Sequence, residues 1–311
     1  MKLIKKELIF EKAPFAECHA STVVLLDGDR RLCAWFGGEK EAKNDVRIWY
    51  SRQIDGAWSA PCSIPAVADL PHWNPVLFET AKGEITLFYK VGVSVTQWKT
   101  YFSATRDGGE TWSDPRELVE GDENDGRGPV KNKPIRHSSG ALLAPASTER
   151  GSWRCFIDRF DGEKWTSSPI PVVEIDRRLH MIQPTLWEDR DGKVHALMRT
   201  QSGPIYRSDS CDGGENWSAA YPTAIPNNNS GIDCAVTSDG KIALLCNPVT
   251  RGRTPLSLLV SCDGGATFEH MLDLETDKGE FSYPAIVARG KRLFATYTYN
   301  RKSIAYCEIE I

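Results

Sequence analysis

The chain contains no long hydrophobic run. Its N-terminal Leu8-Ile9-Phe10 is broken at once by Glu11-Lys12, and nothing in the chain approaches the ~18 apolar residues that a membrane-spanning helix requires. A signal-length apolar stretch is missing as well. Charge of one sign is also lacking: 38 Lys and Arg face 42 Asp and Glu, a formal charge of −4. That gives no global attraction to nucleic acid or acidic membranes, so any anion site must be local. The nine cysteines are odd in number, scattered, and nowhere at zinc-ligand spacing, which excludes a disulfide framework and a structural zinc site. Cys33, Cys234 and Cys246 lie within apolar strand-like runs, where small buried thiols are expected. No P-loop, dinucleotide, EF-hand or zincin motif occurs, so neither cofactor nor metal is expected. These absences read as a reduced, cytoplasmic protein with no nucleic-acid or membrane partner.

What the chain does contain is a repeat. Ser210-Cys211-Asp212-Gly213-Gly214-Glu215-Asn216-Trp217 returns as Ser261-Cys262-Asp263-Gly264-Gly265-Ala266-Thr267-Phe268, and again from Thr105 to Trp112. Worn copies run from Ser51 to Trp58 and from Asp158 to Trp165. The closing aromatics Trp58, Trp112, Trp165, Trp217 and Phe268 are separated by 54, 53, 52 and 51 residues. Each copy reads as a turn, with Asp bonding the backbone and Gly supplying positive φ. Short apolar runs such as Leu32 to Phe36, Ile85 to Tyr89 and Val194 to Met198 flank the turns as strands.

A period of ~50 residues with several strands is that of a propeller blade. Residues 1–311 are therefore expected to form a single all-β domain, a six-bladed β-propeller with four-stranded antiparallel blades. Pairing Leu3 to Phe10 with Ser303 to Ile311 would close the ring and remove its open edge.

These turns resemble the Asp-box (BNR) repeat of the sialidase, or neuraminidase, superfamily, and the resemblance in period covers essentially the whole chain. It implies a propeller whose site lies at the centre of one face, away from the Asp-boxes.

A second repeat points to that site. Aligning the apolar strand that opens each repeat brings His19, Asn74, Lys133, Gln183, Asp233 and Tyr283 into register. Pro follows four of them and removes a ladder donor, so the position reads as a strand start. Innermost strands beginning in this way would ring the mouth of the channel. The returning strands end at Glu39, Lys90, Glu149, Arg199, Asn247 and Tyr299. His72, Lys131 and Arg253 lie nearby, and His180 stands just ahead of an inner strand.

The resemblance implies further roles. Arg199 and Arg253 correspond to the second and third arginines that grip a substrate carboxylate, Tyr283 to the tyrosine nucleophile, and Asp45 to the acid/base aspartate. Two departures stand out. His19-Ala20-Ser21 replaces the Arg-Ile-Pro that opens the first inner strand of sialidases. Gln183 replaces the glutamate that pairs with the tyrosine.

The partner expected from these residues is an acidic glycan. One enzymatic reading is an exo-acting glycosidase on a carboxylate-bearing terminal sugar, with Tyr283 or Asp233 as nucleophile or charge stabiliser and Asp45 or Glu39 as acid. Another is a uronate lyase in which His19, His72 or Tyr283 removes a proton made acidic by arginine. A third is a glycan-binding propeller without catalysis. Lys131, Lys133, Gln183, Asn74, Lys90 and Glu39 complete the expected binding surface.

Overall fold

The computed structural model describes residues 1–123, 126–173 and 179–311. Their strands form six antiparallel sheets arranged in a ring. From the axis outward, blade 1 runs Glu17–Leu25, Arg31–Gly38 and Arg47–Ile54, with Ala57–Trp58 and Cys62–Ser63 sharing its outer edge. Blade 2 begins with His72–Ala81, blade 3 with Ile135–Arg136, blade 4 with Met181–Glu188, blade 5 with Asp233–Val236 and blade 6 with Phe281–Arg289. The outermost strand of blade 6 is the N-terminal Lys2–Leu8, paired antiparallel with Ser303–Glu310. Joining the first and last strands in this way covers an otherwise open edge and closes the ring. Among the described residues no helix is long and apolar enough to cross a membrane.

The second strands are buried on both faces, as Arg31–Gly38 and Val194–Thr200 show along their whole length. This accounts for the continuous apolar runs of the sequence: each such strand is covered by blades on both sides. Cys33, Cys234 and Cys246 are fully buried there, and burial pushes the Cys234 and Cys246 thiols up to about 12. All nine cysteines are unpaired.

The three intact turns share one hydrogen-bond scheme. In blade 4, Ser210 Oγ donates to Asp212 Oδ1 at 2.8 Å and accepts the Gly214 N–H at 2.9 Å, while Asp212 Oδ1 accepts the Asn216 N–H at 2.9 Å. The same bonds recur at Thr105/Asp107 and at Ser261/Asp263. They hold all three aspartates below the usual carboxylate range, to about 2 at Asp212. Gly214 needs its missing side chain twice, because φ is +88° and a Cβ would meet Leu143 of the preceding blade at 3.2 Å. The two worn copies turn differently. Asp55 and Gly56 both have positive φ, giving a tight type I′ hairpin. Asp161 Oδ1 instead caps the N–H groups of Glu163 and Lys164.

Pro was expected to mark strand starts, and Pro134 does directly precede Ile135–Arg136, but in blades 2, 4 and 6 it marks bulges two or three residues into the strands. In blade 2, Trp73 pairs with Lys90 and Val76 with Phe88, so Asn74 and Pro75 together oppose Tyr89 alone. Blades 4 and 6 repeat this at Gln183-Pro184 and Tyr283-Pro284. Asn74, Gln183 and Tyr283 take φ of +43°, +55° and +53°. That backbone is uncommon for such residues, and here it re-aims each side chain. In blade 1 the residue with positive φ is Ala20 (+57°), not His19. The equivalent of Tyr283 in blade 1 is therefore Ala20, and His19 lies one place earlier than its spacing suggested.

Candidate active site at the channel mouth

Tyr283 stands on its bulge among cations. Its hydroxyl accepts a hydrogen bond from Arg199 Nη1, and the Arg199 guanidinium carbon lies 5.3 Å from the ring centroid. Arg253 lies 5.5 Å from the same centroid and the Lys131 ammonium 6.0 Å. Arg199 is aimed from the end of Val194–Thr200 by two further bonds, to Gln183 Oε1 at 3.0 Å and Asn229 Oδ1 at 2.9 Å. Gln183 thus orients the arginine that holds the tyrosine hydroxyl.

A third arginine completes the cluster. Arg301 lies with Asn300 at the centre of the Tyr299–Lys302 turn, both at positive φ, the conformation of a type I′ hairpin. Glu280 Oε1 accepts from Arg253 Nη1 at 2.8 Å and from Arg301 Nε at 2.9 Å. One carboxylate therefore sets the spacing of two guanidinium groups. Arg301 also donates to Glu41 Oε2 at 2.7 Å, and Arg253 to Ser282 Oγ at 3.0 Å.

Reading strand starts and ends missed Arg301, Glu41 and Glu280. The turns joining second to third strands were the better guide, since all return to the mouth face. Glu41, Glu149, Arg253 and Arg301 come from such turns in blades 1, 3, 5 and 6. Burial raises the Glu149 carboxyl above its ordinary value, opposed by the charge of Arg199 and assisted by that of Glu41.

His19 packs against Tyr283 with ring centroids 4.1 Å apart. Burial and then the charges of Arg301, Arg253, Arg199 and Lys131 hold its imidazole well below its ordinary pKa, so it is neutral. Thr298 Oγ1 accepts the Ala20 N–H at 3.2 Å and sits 2.9 Å from His19 Nδ1, tying the ring to blade 6.

Other expected site residues lie elsewhere or are already engaged. Both His72 nitrogens are bonded to backbone, Nε2 accepting from Val67 N–H and Nδ1 facing Leu70 O. With no exposed surface, His72 anchors a loop. Lys90 is equally buried and donates to Thr100 Oγ1 at 2.6 Å and to the carbonyls of Gly126 and Arg127. It fastens a segment between blades 2 and 3, and burial pulls its ammonium down to about 7. Asn74 is buried on its bulge. Glu39 and Asp45 are exposed and bonded to each other, Asp45 Oδ2 accepting the Glu39 N–H at 2.6 Å. His180 accepts from Trp153 N–H at the rim.

Blade 3 fills the channel. Its inner strand is only two residues long, and Lys131, Asn132 and Lys133 reach across the axis before it. Lys131 donates to Asn132 Oδ1, Ile232 O and Pro284 O, and burial draws it down to about 7. Asn132 Nδ2 holds the carbonyls of Gln183 and Pro184. Lys133 meets both oxygens of Asp233 at 3.1 and 3.0 Å and Cys234 O at 2.7 Å. Asp233 also accepts from Thr185 Oγ1 and from the N–H groups of Cys234 and Ile286. Its oxygens are saturated, and the pair forms a plug.

A family model described as a BNR repeat-like domain matches residues 29–294. No curated protein matches the chain in sequence. Among solved structures, a protein of unknown function from Dyadobacter fermentans is 16% identical with a TM-score of 0.84, covering 100% of this chain and 99% of that one. A Hadza microbial sialidase is 15% identical with a TM-score of 0.79, over 96% of this chain and 66% of its own. The intramolecular trans-sialidase from Ruminococcus gnavus is 14% identical with a TM-score of 0.71, covering 96% and 95%. At these identities the likeness is one of fold. The chain belongs to the BNR repeat-like domain family and shares the six-bladed propeller fold of these sialidase structures.

Proposed function

We propose that this protein is an exo-acting glycosidase that takes a terminal sugar bearing a carboxylate. The observation that carries this is the arginine cluster at Tyr283: Arg199 on its hydroxyl, Arg253 against its ring, and Arg301 joined to Arg253 through Glu280. Guanidinium forks match a carboxylate in geometry and charge. Arg199 holds the Tyr283 oxygen at the mouth as a candidate nucleophile, where Gln183 stands in place of a base. Attack by the Tyr283 oxygen on the anomeric carbon, with its proton lost to solvent water, would expel the aglycone oxygen, which takes a proton from an acid. Water then cleaves the tyrosyl intermediate.

For the acid we assign Glu149, because a half-buried carboxyl with a raised pKa keeps its proton at higher pH. Asp45 is tied to the loop of Glu39. Glu149→Gln should slow hydrolysis of an alkyl glycoside by about 10²–10⁴ while sparing an activated aryl glycoside, and Asp45→Asn should spare both. The reverse pattern would move the acid to Asp45.

Gln183 favours a second reading, uronate lysis, in which Tyr283 serves proton transfer rather than attacking carbon and the neutral His19 imidazole packed on it can take the proton. Incubation with sialosides, uronides and acidic oligosaccharides separates the readings. Saturated free sugar supports the hydrolase, and an unsaturated product absorbing in the ultraviolet supports the lyase. Binding without turnover would leave a lectin-like propeller.

A further inference from the structure

Four of the five repeat aromatics reach onto the preceding blade. Trp58 meets Tyr306 at 5.2 Å, Trp112 meets Tyr50 at 5.6 Å, Trp217 joins the apolar cluster of blades 3 and 4, and Phe268 packs on that of blades 4 and 5. Trp165 is the exception. The worn turn of blade 3 reverses at Asp161-Gly162, and Trp165 lies on Phe160 of its own blade, 5.1 Å away. The junction it would have filled is thinly packed. Among the described residues, the clusters at the other five blade junctions each hold between eight and fifteen buried apolar residues, whereas blades 2 and 3 share a cluster of three, Trp73, Trp98 and Val130.

The space left open is a cleft of about 580 Å³ at the Asp-box end, opposite the mouth. Phe88 and Phe102 wall it from blade 2, and Phe160 and Trp165 from blade 3. Arg136 on the rim is engaged as a rivet, donating to Thr80 O at 2.6 Å and Gly140 O at 3.4 Å. Asp161 is held by its own turn, and Glu163 adds a second carboxylate. Flat aromatic walls offer faces for the C–H groups of a sugar ring, and carboxylates at the rim accept from its hydroxyls. The volume suits one or two rings. With two carboxylates against the one guanidinium of Arg136, the rim is net acidic and disfavours a carboxylated ligand.

We infer that this cleft is a second carbohydrate site, selective for neutral hexopyranosides and separate from the mouth. It does not rest on the activity proposed above. Calorimetric titration of the whole protein with lactose, maltose and cellobiose, with glucuronate as the acidic control, tests it. At least one neutral disaccharide should bind with a Kd on the order of 1–10 mM, and glucuronate should not bind this cleft. Trp165→Ala should weaken that binding at least about tenfold, Glu163→Ala severalfold, and Arg199→Ala not at all. The exposed Glu163 keeps the test open if the tryptophan variant misfolds. The inference is overturned if no neutral disaccharide binds saturably, or if Arg199→Ala abolishes binding that Glu163→Ala and Trp165→Ala leave intact.

Discussion

Asp233 opens the inner strand of blade 5 and Tyr283 stands on the bulge of the inner strand next to it, and both meet a cation reaching in from another blade. At Asp233 every direction is closed: Lys133, Thr185 and two backbone N–H groups saturate a carboxylate that is 1% exposed. At Tyr283 the hydroxyl meets Arg199, and the ring remains half-buried. The first arrangement is a plug that ties blades 3, 4, 5 and 6 together. The second is a charged surface with bonding capacity left for a ligand. A charged residue at the mouth therefore says little about chemistry until its hydrogen bonds have been followed.

The comparison breaks most sharply at the tyrosine. Tyr283→Phe removes one oxygen and should cut kcat by about 10²–10⁴ while leaving the melting temperature nearly unchanged. Activity within threefold of the parent would reduce Tyr283 to a stacking platform. At the plug the opposite is expected. Asp233→Ala strands the half-buried Lys133 ammonium and should cost about 3 kcal/mol in urea unfolding, with KM of the surviving folded enzyme little changed. A fully stable but inactive Asp233→Ala would place the nucleophile there instead.

A smaller effect is expected at Lys90. Its pKa falls to about 7 in the folded protein, against ~10.4 when exposed. Between these values the unfolded chain holds a proton that the folded chain has lost, so this group adds stability as pH rises. The stability of the parent relative to Lys90→Met should grow by on the order of 1–2 kcal/mol between pH 7 and 8.5. A gap independent of pH would mean that Lys90 keeps its charge in the fold.

Blade number, strand pairing at the termini and the position of the Asp-boxes were legible because each repeats, and repetition survives local wear. Arg199 and Tyr283 were legible because the inner strand and its return recur at fixed spacing, and Arg253 through the resemblance to sialidases. The rest was not. Ala20 carries no side chain to mark its bulge, so His19 was aligned one place out. His72 and Lys90 have the residue types of a site, but their partners are backbone groups far along the chain, which spacing cannot reveal. Arg301 was hidden in a turn whose positive φ falls on Asn and Arg rather than on glycine. Glu280 depends on Arg253 and Arg301 being brought together by the fold.

The claim that the mouth recognises a carboxylate is tested most directly by comparing a chromogenic sialoside or uronide with its methyl ester, in the parent and in Arg199→Ala. A charged hydrogen bond contributes roughly 1.5–3 kcal/mol. The acid should therefore react about tenfold to 150-fold better than the ester in kcat/KM, and Arg199→Ala should erase most of that preference. An ester turned over as well as the acid, with Arg199→Ala unchanged, would contradict the account.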